Sequence, residues 1–177
     1  MRAEGTKQKG GFLETVRTLI YTVLIAILIR TFGFEPFNIP SGSMIPTLLV
    51  GDYFFVSKFS YGYSRFSMPF GLGPFDGRVF YTEPERGDVA VFKLPRDNST
   101  DYIKRIVGLP GDTIQMRNSV LYLNGEAVRR ESAGDYIPQD RGAGQTAKQY
   151  VEILPNGRSY MILEQQVNGA LDNTPVY

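Results

Sequence analysis

The chain has 177 residues, with 19 lysine and arginine residues against 18 aspartate and glutamate residues, so its net charge is close to zero. This length fits one domain of moderate size, with room for a small appendage, and the charge balance gives no indication of nucleic-acid binding. The sequence contains neither histidine nor cysteine. This composition excludes a Ser-His-Asp triad, a cysteine nucleophile, disulfide bonds and metal sites built on those residues. We expect no metal and no other cofactor.

The N-terminus is polar and rich in glycine and lysine, which is typical of a disordered tail. An apolar run, LIYTVLIAILI, follows over residues 19–29 between Arg17 and Arg30. Basic residues that precede a membrane helix favour the cytoplasmic side for that end of the chain. If the run spans a membrane, residues 1–14 form a cytoplasmic tail and the rest of the chain is exported.

The apolar run is short for a transmembrane helix, which needs about 20 residues. It reaches that length if neighbouring apolar residues join it and both flanking arginines extend to the membrane surface. A cleaved signal peptide, with Thr31-Phe32-Gly33 as its small-x-small site, is a second interpretation. A buried amphipathic helix is a third. In the first interpretation, an uncleaved anchor, Glu35-Pro36 ends the helix.

A segment with two serines, PSGSMIPTLLVGD, covers residues 40–52. Gly42 between the serines and Pro46 after them disfavour both helix and regular strand, so the hydroxyl of Ser43 is held on a rigid bend that suits an exposed nucleophile. The ordinary alternative is a turn in which Ser41 and Ser43 bond nearby backbone N–H groups. Because the chain has no histidine, a nucleophilic serine here would pass its proton to a carboxylate or a lysine.

Residues 53–59, YFFVSKF, have the composition of a strand. Residues 61–75 then interleave aromatic and apolar side chains with glycine and proline, a pattern too broken for a regular element. Two interpretations of this stretch stay open: a loop that rests in the lipid interface, where aromatic rings are favoured, and a loop folded onto the core.

Residues 86–95, RGDVAVFKLP, begin with an Arg-Gly-Asp turn that opens the strand VAVFKL. An Arg-Gly-Asp tripeptide also occurs in integrin ligands, but at the start of a strand it indicates a turn. We assign this block no chemistry and expect Arg86 and Asp88 to pair with each other.

The segment DYIKRIVGLPGD covers residues 101–112. Strand alternation puts Lys104 on one face with Tyr102 and Ile106 and turns Arg105 to the other face. A lysine accepts a proton only as the neutral amine, a form that burial among apolar side chains favours, whereas an arginine stays protonated. Lys104 is therefore a candidate general base buried among apolar neighbours. The ordinary alternative is a surface lysine whose amine reaches solvent.

After the Pro110-Gly111 turn the sequence predicts a β-meander and a further hairpin. Asn124-Gly125 is a strong signal for a two-residue hairpin turn. Residues 133–149 are polar and rich in glycine and are predicted as a loop. The predicted strands are residues 113–116, 121–123, 127–128, 151–154 and 159–163. We find no repeats and predict no helix longer than the apolar run.

The segments SGSMIPTLLVGD, RGDVAVFKLP and DYIKRIVGLPGD occur in this order after an N-terminal apolar run. Together they closely resemble the type I signal peptidases of bacteria. The resemblance implies a mostly β fold, in which an antiparallel β-sheet catalytic domain follows one N-terminal transmembrane helix. It favours an uncleaved, single-pass anchor over residues 15–35 in the bacterial cytoplasmic membrane, a catalytic core over 36–112 outside the cytoplasm, and a β-rich extension over 113–177.

The resemblance also implies residue roles. Ser43 would be the acylating nucleophile and Lys104 the general base, while the hydroxyl of Ser41 and the backbone N–H of Ser43 would form the oxyanion hole. The substrate would lie extended beside residues 101–103 and 37–41, with shallow pockets that admit only small side chains. The implied substrate-binding residues are Phe37, Ile39, Pro40, Met44, Leu48, Asp101, Tyr102 and Ile103.

The expected activity is that of a membrane-bound serine endopeptidase that removes signal peptides after Ala-x-Ala. Its expected partners are signal-peptide-bearing preproteins and the lipid bilayer. A self-cleaving regulator with a Ser-Lys dyad is a weaker interpretation, since it would carry a DNA-binding module in place of the hydrophobic segment. A penicillin-binding or β-lactamase site needs S-x-x-K, which the sequence lacks.

One departure from the family pattern weakens the expectation of activity. Relatives carry a further block, Gly-Asp-Asn-Arg-Asp followed by a serine, whose residues orient the lysine and complete the central sheet. No such block precedes Tyr177. We therefore expect an incomplete extension with an open sheet edge. The alternative function is a catalytically incomplete, membrane-tethered β domain, either a fragment or a non-catalytic relative.

Overall fold

The computed structural model describes residues 11–68, 76–138, 146–165, 169 and 171–177. These residues form one N-terminal apolar helix followed by mostly antiparallel β structure, which confirms the predicted fold class. The strands are β1 Phe34–Asn38, β2 Tyr53–Ser57, β3 Tyr63–Ser64, β4 Arg78–Val79, β5 Val89–Lys93, β6 Asp101–Arg105, β7 Ile114–Arg117, β8 Val120–Leu123, β9 Glu126–Ala127, β10 Arg129–Tyr136, β11 Ala147–Ile153 and β12 Ser159–Glu164.

The N-terminal helix α1 covers Gly11–Phe32 and is long and apolar enough to cross a membrane. The hydroxyl of Thr31, near the end of the helix, is buried without a hydrogen-bond partner among the described residues. Thr15, Thr18 and Thr22, in contrast, each donate a hydroxyl hydrogen bond to the carbonyl four residues earlier. Such bonds satisfy side-chain polar groups in an apolar environment. The helix begins and ends a few residues before the predicted anchor of residues 15–35. It ends early because the chain turns into β1 directly after Gly33.

Contacts between Cα atoms divide the chain into two compact units. The first combines residues 1–36 with 55–82 and the second combines residues 37–54 with 83–177. β1 and β2 pair with each other, and each strand runs through a boundary between the units.

In the first unit, a half-buried lysine secures the chain that follows α1. Lys58 donates its backbone N–H to the carbonyl of Gly33 at 3.0 Å, and its amine forms a 2.9 Å ion pair with Glu35. Tyr63 donates its hydroxyl to the carbonyl of Phe32 at 2.8 Å and packs edge-on against that ring. Part of the predicted aromatic loop, residues 69–75, lies outside the described residues.

The second unit contains a β5–β6 hairpin and two three-stranded antiparallel sheets, β7-β8-β9 and β10-β11-β12. The first of these sheets is the predicted meander, and its β8–β9 turn places Asn124 and Gly125 at φ 53° and 82°, as a two-residue hairpin turn requires. The apolar core lies between the sheets. Its buried members are Leu121, Leu123, Val128 and Leu154.

The predicted loop over residues 133–149 is wrong at both ends. β10 continues to Tyr136 and β11 begins at Ala147, and the two strands pair along this whole length. Gly134, at φ 93°, lies where the pairing register shifts, so a bulge accommodates the polar, glycine-containing sequence. Residues 139–145 lie outside the described part of the chain.

The Arg-Gly-Asp turn joins the β5–β6 hairpin to two other elements. Gly87 donates its N–H to the carbonyl of Ile106 at 2.6 Å. Arg86 forms a 2.7 Å ion pair with Asp112, and Asp88 pairs with Arg158 of the β11–β12 turn. These partners correct the prediction that Arg86 and Asp88 pair with each other. The turn therefore connects the β5–β6 hairpin to the turn that ends at Asp112 and to the β11–β12 turn.

Three donors converge on the carboxylate of Asp112. Arg86 Nη1 donates at 2.7 Å, the backbone N–H of Leu109 at 2.6 Å and the amide of Asn124 at 2.8 Å. The hydrogen bond from Arg86 is the main cause that holds the pKa of Asp112 well below its ordinary range, with the bonds from Leu109 and Asn124 next. The folded chain therefore favours the ionised form of this carboxylate.

We predict that Gly87→Ala destabilises the chain more than Gly111→Ala does. Both glycines have left-handed backbone, φ 98° and 91°, which costs an alanine about 1 kcal/mol. At Gly111 an added Cβ meets nothing within 4 Å, whereas at Gly87 it would lie 2.9 Å from Cδ of Arg158. Chemical denaturation measures both free energies of unfolding. Equal losses would show that the contact with Arg158 contributes nothing.

We predict that the stabilisation given by Asp112 depends on pH. Its pKa is lower in the folded chain, so the unfolded chain takes up the proton first as the pH falls. The stabilisation is complete above about pH 5, begins to be lost at about pH 4, and is lost progressively as the pH falls further toward the lower pKa of the folded chain. The difference in unfolding free energy between the wild type and Asp112→Asn should therefore shrink between pH 5 and pH 3.

Asp76→Asn, at an exposed position, is the control for the loss of one carboxylate in this experiment. A difference between the wild type and Asp112→Asn that stays constant over the same pH range would contradict the prediction.

Candidate active site

Residues 39–52, which contain Ser43, form a closed loop with two buried side chains; we call it the serine loop. Ile39 donates its N–H to the carbonyl of Asp52 at 3.0 Å and accepts from the N–H of Gly51 at 2.9 Å, so the ends of the loop meet. The side chains of Ile39 and Met44 are only 1% and 8% exposed. Between them Ser43 occupies a single 3-10 turn, Gly42–Met44, so the segment is neither α-helix nor strand, as predicted.

Ser43 and Lys104 are in direct contact. The Nζ atom of Lys104, on β6, donates a hydrogen bond to Oγ of Ser43. The Oγ atoms of Ser41 and Ser43 lie 3.5 Å apart. Ser41 precedes the turn in extended conformation, and its side chain does not cap it. The structure thus brings together the three side chains that the resemblance singles out, in place of the ordinary backbone-capping turn.

The predicted burial of Lys104 is not observed. Lys104 and Tyr102 are exposed, with the amine 5.6 Å from the centre of the Tyr102 ring. The apolar neighbour Ile103 and Arg105 lie on the more buried face of the strand, as the alternation requires. β6 pairs with β5 on one edge, and within the described residues no strand pairs with its other edge. This arrangement leaves the amine open to solvent.

The predicted substrate-binding residues fall into two groups. Ile39 and Met44 are buried, where they hold the serine loop, and Phe37 stacks on Phe54 with ring centres 6.2 Å apart. The carboxylate of Asp101 forms a 2.9 Å ion pair with Lys93 on β5. The predicted residues that keep exposed or half-exposed side chains are Phe37, Pro40, Leu48, Asp101, Tyr102 and Ile103.

Arg105 also contacts the serine loop, a contact that the sequence analysis missed. Its Nη2 atom donates to Oγ1 of Thr47 at 3.2 Å, and its Nη1 atom donates to the carbonyl of Gly87 at 2.8 Å. The guanidinium lies over the ring of Tyr160, with Cζ 4.4 Å from the ring centre. Burial lowers the pKa of Arg105, but a guanidinium keeps its proton at any physiological pH.

The hydroxyl of Tyr160 donates to Oε2 of Glu152 at 2.7 Å, and Glu152 is only 4% exposed. Burial is the main cause that raises the pKa of both side chains above their ordinary values. No sequence motif predicts this pair, because Glu152 and Tyr160 lie on different strands and face each other only through the pairing of β11 with β12. The contact of Arg105 with the serine loop had one signal in the sequence. Alternation along β6 places the Arg105 side chain on the packed face, where it can contact other elements.

Among the described residues, no group of acidic side chains is arranged to hold a metal ion. The chemistry available at the site is that of a hydroxyl and an amine. An amine that touches a serine hydroxyl can accept its proton as the oxygen attacks, which is how a lysine activates a serine nucleophile.

The chain is similar to known proteins over most of its length. The model of the family "Signal peptidase, peptidase S26" matches residues 12–172. Signal peptidase I of Rickettsia typhi is 43% identical over 162 residues, which cover 90% of this chain and 60% of the relative. Signal peptidase I of Rickettsia prowazekii is 47% identical over 142 residues, which cover 79% of this chain and 53% of the relative.

Signal peptidase I of Rickettsia canadensis is 45% identical over 146 residues, which cover 81% of this chain and 54% of the relative. The chain thus spans between about half and 60% of the length of these curated relatives. The family model covers most of the chain, including both residues of the Ser43–Lys104 contact. The chain therefore belongs to the signal peptidase S26 family.

Proposed function

We propose that this chain carries the active site of a serine endopeptidase that cleaves signal peptides from exported preproteins by means of a Ser-Lys dyad. The observation that carries the proposal is the direct contact between the amine of Lys104 and the hydroxyl of Ser43. The residues lie 61 positions apart in the sequence, so neither local turn geometry nor chance proximity along the chain accounts for the contact.

In the proposed reaction, Lys104 acts as the neutral amine and removes the proton of the Ser43 hydroxyl as Oγ attacks the scissile carbonyl. The carbonyl oxygen becomes an oxyanion, which the Ser41 hydroxyl and the Ser43 backbone N–H stabilise; one such donor is typically worth about 3 kcal/mol. The ammonium of Lys104 then protonates the departing amine of the mature protein. A water molecule hydrolyses the acyl-enzyme with Lys104 as base again.

For substrate binding, we propose that the segment before the scissile bond lies extended along the edge of β6 that faces away from β5. Backbone pairing on a strand edge supplies affinity, and pockets for alternate side chains supply specificity. The exposed side chain of Tyr102 and the half-exposed side chains of Phe37 and Leu48 would border those pockets. Ile39 and Met44, being buried, would form their floor.

We also propose that α1 anchors the chain as a single span in the bacterial cytoplasmic membrane, with residues 1–14 in the cytoplasm and the catalytic core outside it. The length and apolar surface of α1 support this proposal. Basic residues at the N-terminal end of a span favour the cytoplasmic side, and this end carries Arg2, Lys7, Lys9 and Arg17. The catalytic core over 36–112 and the extension over 113–177 remain predictions. The competing function, an inactive tethered β domain, predicts no cleavage at all.

We predict that Ser43→Ala and Lys104→Arg each lower the rate of preprotein cleavage by about 1,000-fold or more. The first removes the attacking oxygen, and the second replaces the base by a group that never loses its proton. Mass spectrometry of an Ala-x-Ala preprotein incubated with the detergent-solubilised chain measures the cleavage. Ser159→Ala and Lys148→Arg, at exposed positions outside the site, are the matched controls.

An active Lys104→Arg variant would remove Lys104 from the role of base, and an active Ser43→Ala variant would remove Ser43 from the mechanism. An inactive wild type would favour the tethered β domain over the peptidase.

We predict that the site admits only a small side chain immediately before the scissile bond. Replacing alanine by leucine at that substrate position should lower the specificity constant kcat/KM by about 100-fold, because the larger side chain does not fit a shallow pocket. The same replacement at the middle position of Ala-x-Ala is the control and should leave cleavage in place. Equal cleavage of both leucine substrates would contradict the small pocket.

A further inference from the structure

Two consecutive residues of β6 contact the same short segment from opposite faces of the strand. Lys104 donates to Ser43, and Arg105 donates to Thr47, four residues further along the chain. The segment between them therefore crosses the edge of β6 and is held at both ends. Only the Lys104 contact takes part in the proposed chemistry, so the Arg105 contact needs its own explanation.

Arg105 is fixed on more than one side. Beyond Thr47, its guanidinium donates to the carbonyl of Gly87 and lies over the ring of Tyr160. A planar guanidinium can make two directed hydrogen bonds and stack on a ring at the same time, which a lysine ammonium cannot do. The Nη2 group of Arg105, which donates to the hydroxyl of Thr47, is consequently held in one orientation.

Tyr160 is fixed in turn by a buried carboxylate. Its hydroxyl bonds Glu152, which faces it across the β11–β12 pairing and is 4% exposed. The chain of contacts thus runs from the β11–β12 hairpin through Arg105 to the serine loop. Every member belongs to the second unit of the fold.

We propose that Arg105 is a positioning residue, which holds Thr47 so that the Ser43 hydroxyl stays on the amine of Lys104, and that Tyr160 and Glu152 of the β11–β12 hairpin support it. The expected effect of Arg105 on catalysis rests on the proposed function. Its mechanical effect, that it holds the serine loop in place, does not. A loose serine loop would keep its substrate contacts but would bring the hydroxyl to the amine less often. The turnover number kcat should therefore fall while KM stays the same.

The mechanical consequence is tested by hydrogen exchange of the full chain in detergent micelles. Thr47→Val preserves shape and removes the acceptor, Thr47→Ser retains it, and Thr113→Val makes the same change at an exposed site elsewhere. The reporters are the amides of Ile45 and Leu48, which bond the carbonyls of Gly42 and Met44.

Exchange of both reporter amides should be about five-fold faster in Thr47→Val and close to wild type in Thr47→Ser and Thr113→Val. The amide of Val128, bonded to Leu121 in the core, should exchange at the wild-type rate in all of them. Unchanged reporter amides in Thr47→Val would overturn the inference, and so would an equal change in Thr47→Ser.

The partner in this contact is identified by a double-mutant cycle. Arg105→Lys should raise exchange of the reporter amides as Thr47→Val does, and the double variant should exchange no faster than Arg105→Lys alone, because both changes break one interaction. Additive effects in the double variant would overturn the assignment of Arg105.

The role of the hairpin is tested with two variants that both remove the Tyr160 hydroxyl. Tyr160→Phe keeps a ring under the guanidinium but loses the bond to Glu152, and Tyr160→Leu loses both. Exchange of the reporter amides should therefore rise in Tyr160→Phe and rise further in Tyr160→Leu. Wild-type exchange in Tyr160→Phe would remove Glu152 from the support of Arg105. The same rate in both variants would remove the stacked ring from the support of Arg105.

The kinetic arm uses the cleavage assay on the Thr47 variants. Thr47→Val should lower kcat by about ten-fold at unchanged KM, and Thr47→Ser should restore it. Faster exchange with unchanged kcat would overturn the positioning of the reacting hydroxyl. A wild type that cleaves nothing would instead contradict the proposed function, and the exchange measurements would still decide whether Arg105 holds the loop.

Discussion

The antiparallel pairing of β5 with β6 determines where the two basic residues of the site point. In this pairing Ala90 lies opposite Lys104 and Val89 opposite Arg105. Alternation then sends the amine to the open face and the guanidinium to the packed face. A shift of one residue would exchange these faces and place an arginine, which cannot act as a base, beside Ser43. The register is in turn secured by the Gly87–Ile106 and Ile106–Asp88 backbone bonds that close the hairpin base.

The serine loop shows how little apolar surface is needed to hold a reactive side chain in place. Two buried side chains, Ile39 and Met44, anchor a loop whose other members are largely exposed. Backbone bonds between Ile39, Gly51 and Asp52 close it, so its closure does not depend on the side chains of Ser41 and Ser43. Ser41 and Ser43 are free to face a reactant because neither is needed to hold the loop shut. This separates the residues that build the loop from those proposed to react.

Local signals in the sequence predicted the elements that local physics determines. The composition of α1, the alternation in β6, the Asn124-Gly125 turn and the bend at Ser43 each follow from a few neighbouring residues. The resemblance supplied the pairing of Ser43 with Lys104. What failed depended on contacts distant in sequence: the β10–β11 pairing overrode the polar composition of residues 133–149.

The same reason explains the errors at single residues. The partners of Arg86 and Asp88 come from the turn that ends at Asp112 and from the β11–β12 turn, which no local pattern connects to them. Apolar neighbours in sequence suggested that Lys104 is buried, but Ile103 lies on the opposite face of the strand, and Tyr102, on the same face as Lys104, is itself exposed. The Tyr160–Glu152 pair required knowledge of the β11–β12 register, which single residues do not reveal.

The sequence distance between Ser43 and Lys104 has a consequence for the order of events during synthesis. The serine loop emerges from the ribosome well before β6, and the contact closes only when the β5–β6 hairpin has docked on the loop. Long-range contacts of this kind form late, since the entropy of closing the intervening chain is lost before they can stabilise it. A nascent or misfolded chain therefore holds its serine without a base. The proposed proteolytic activity is thereby limited to molecules that have completed this part of the fold.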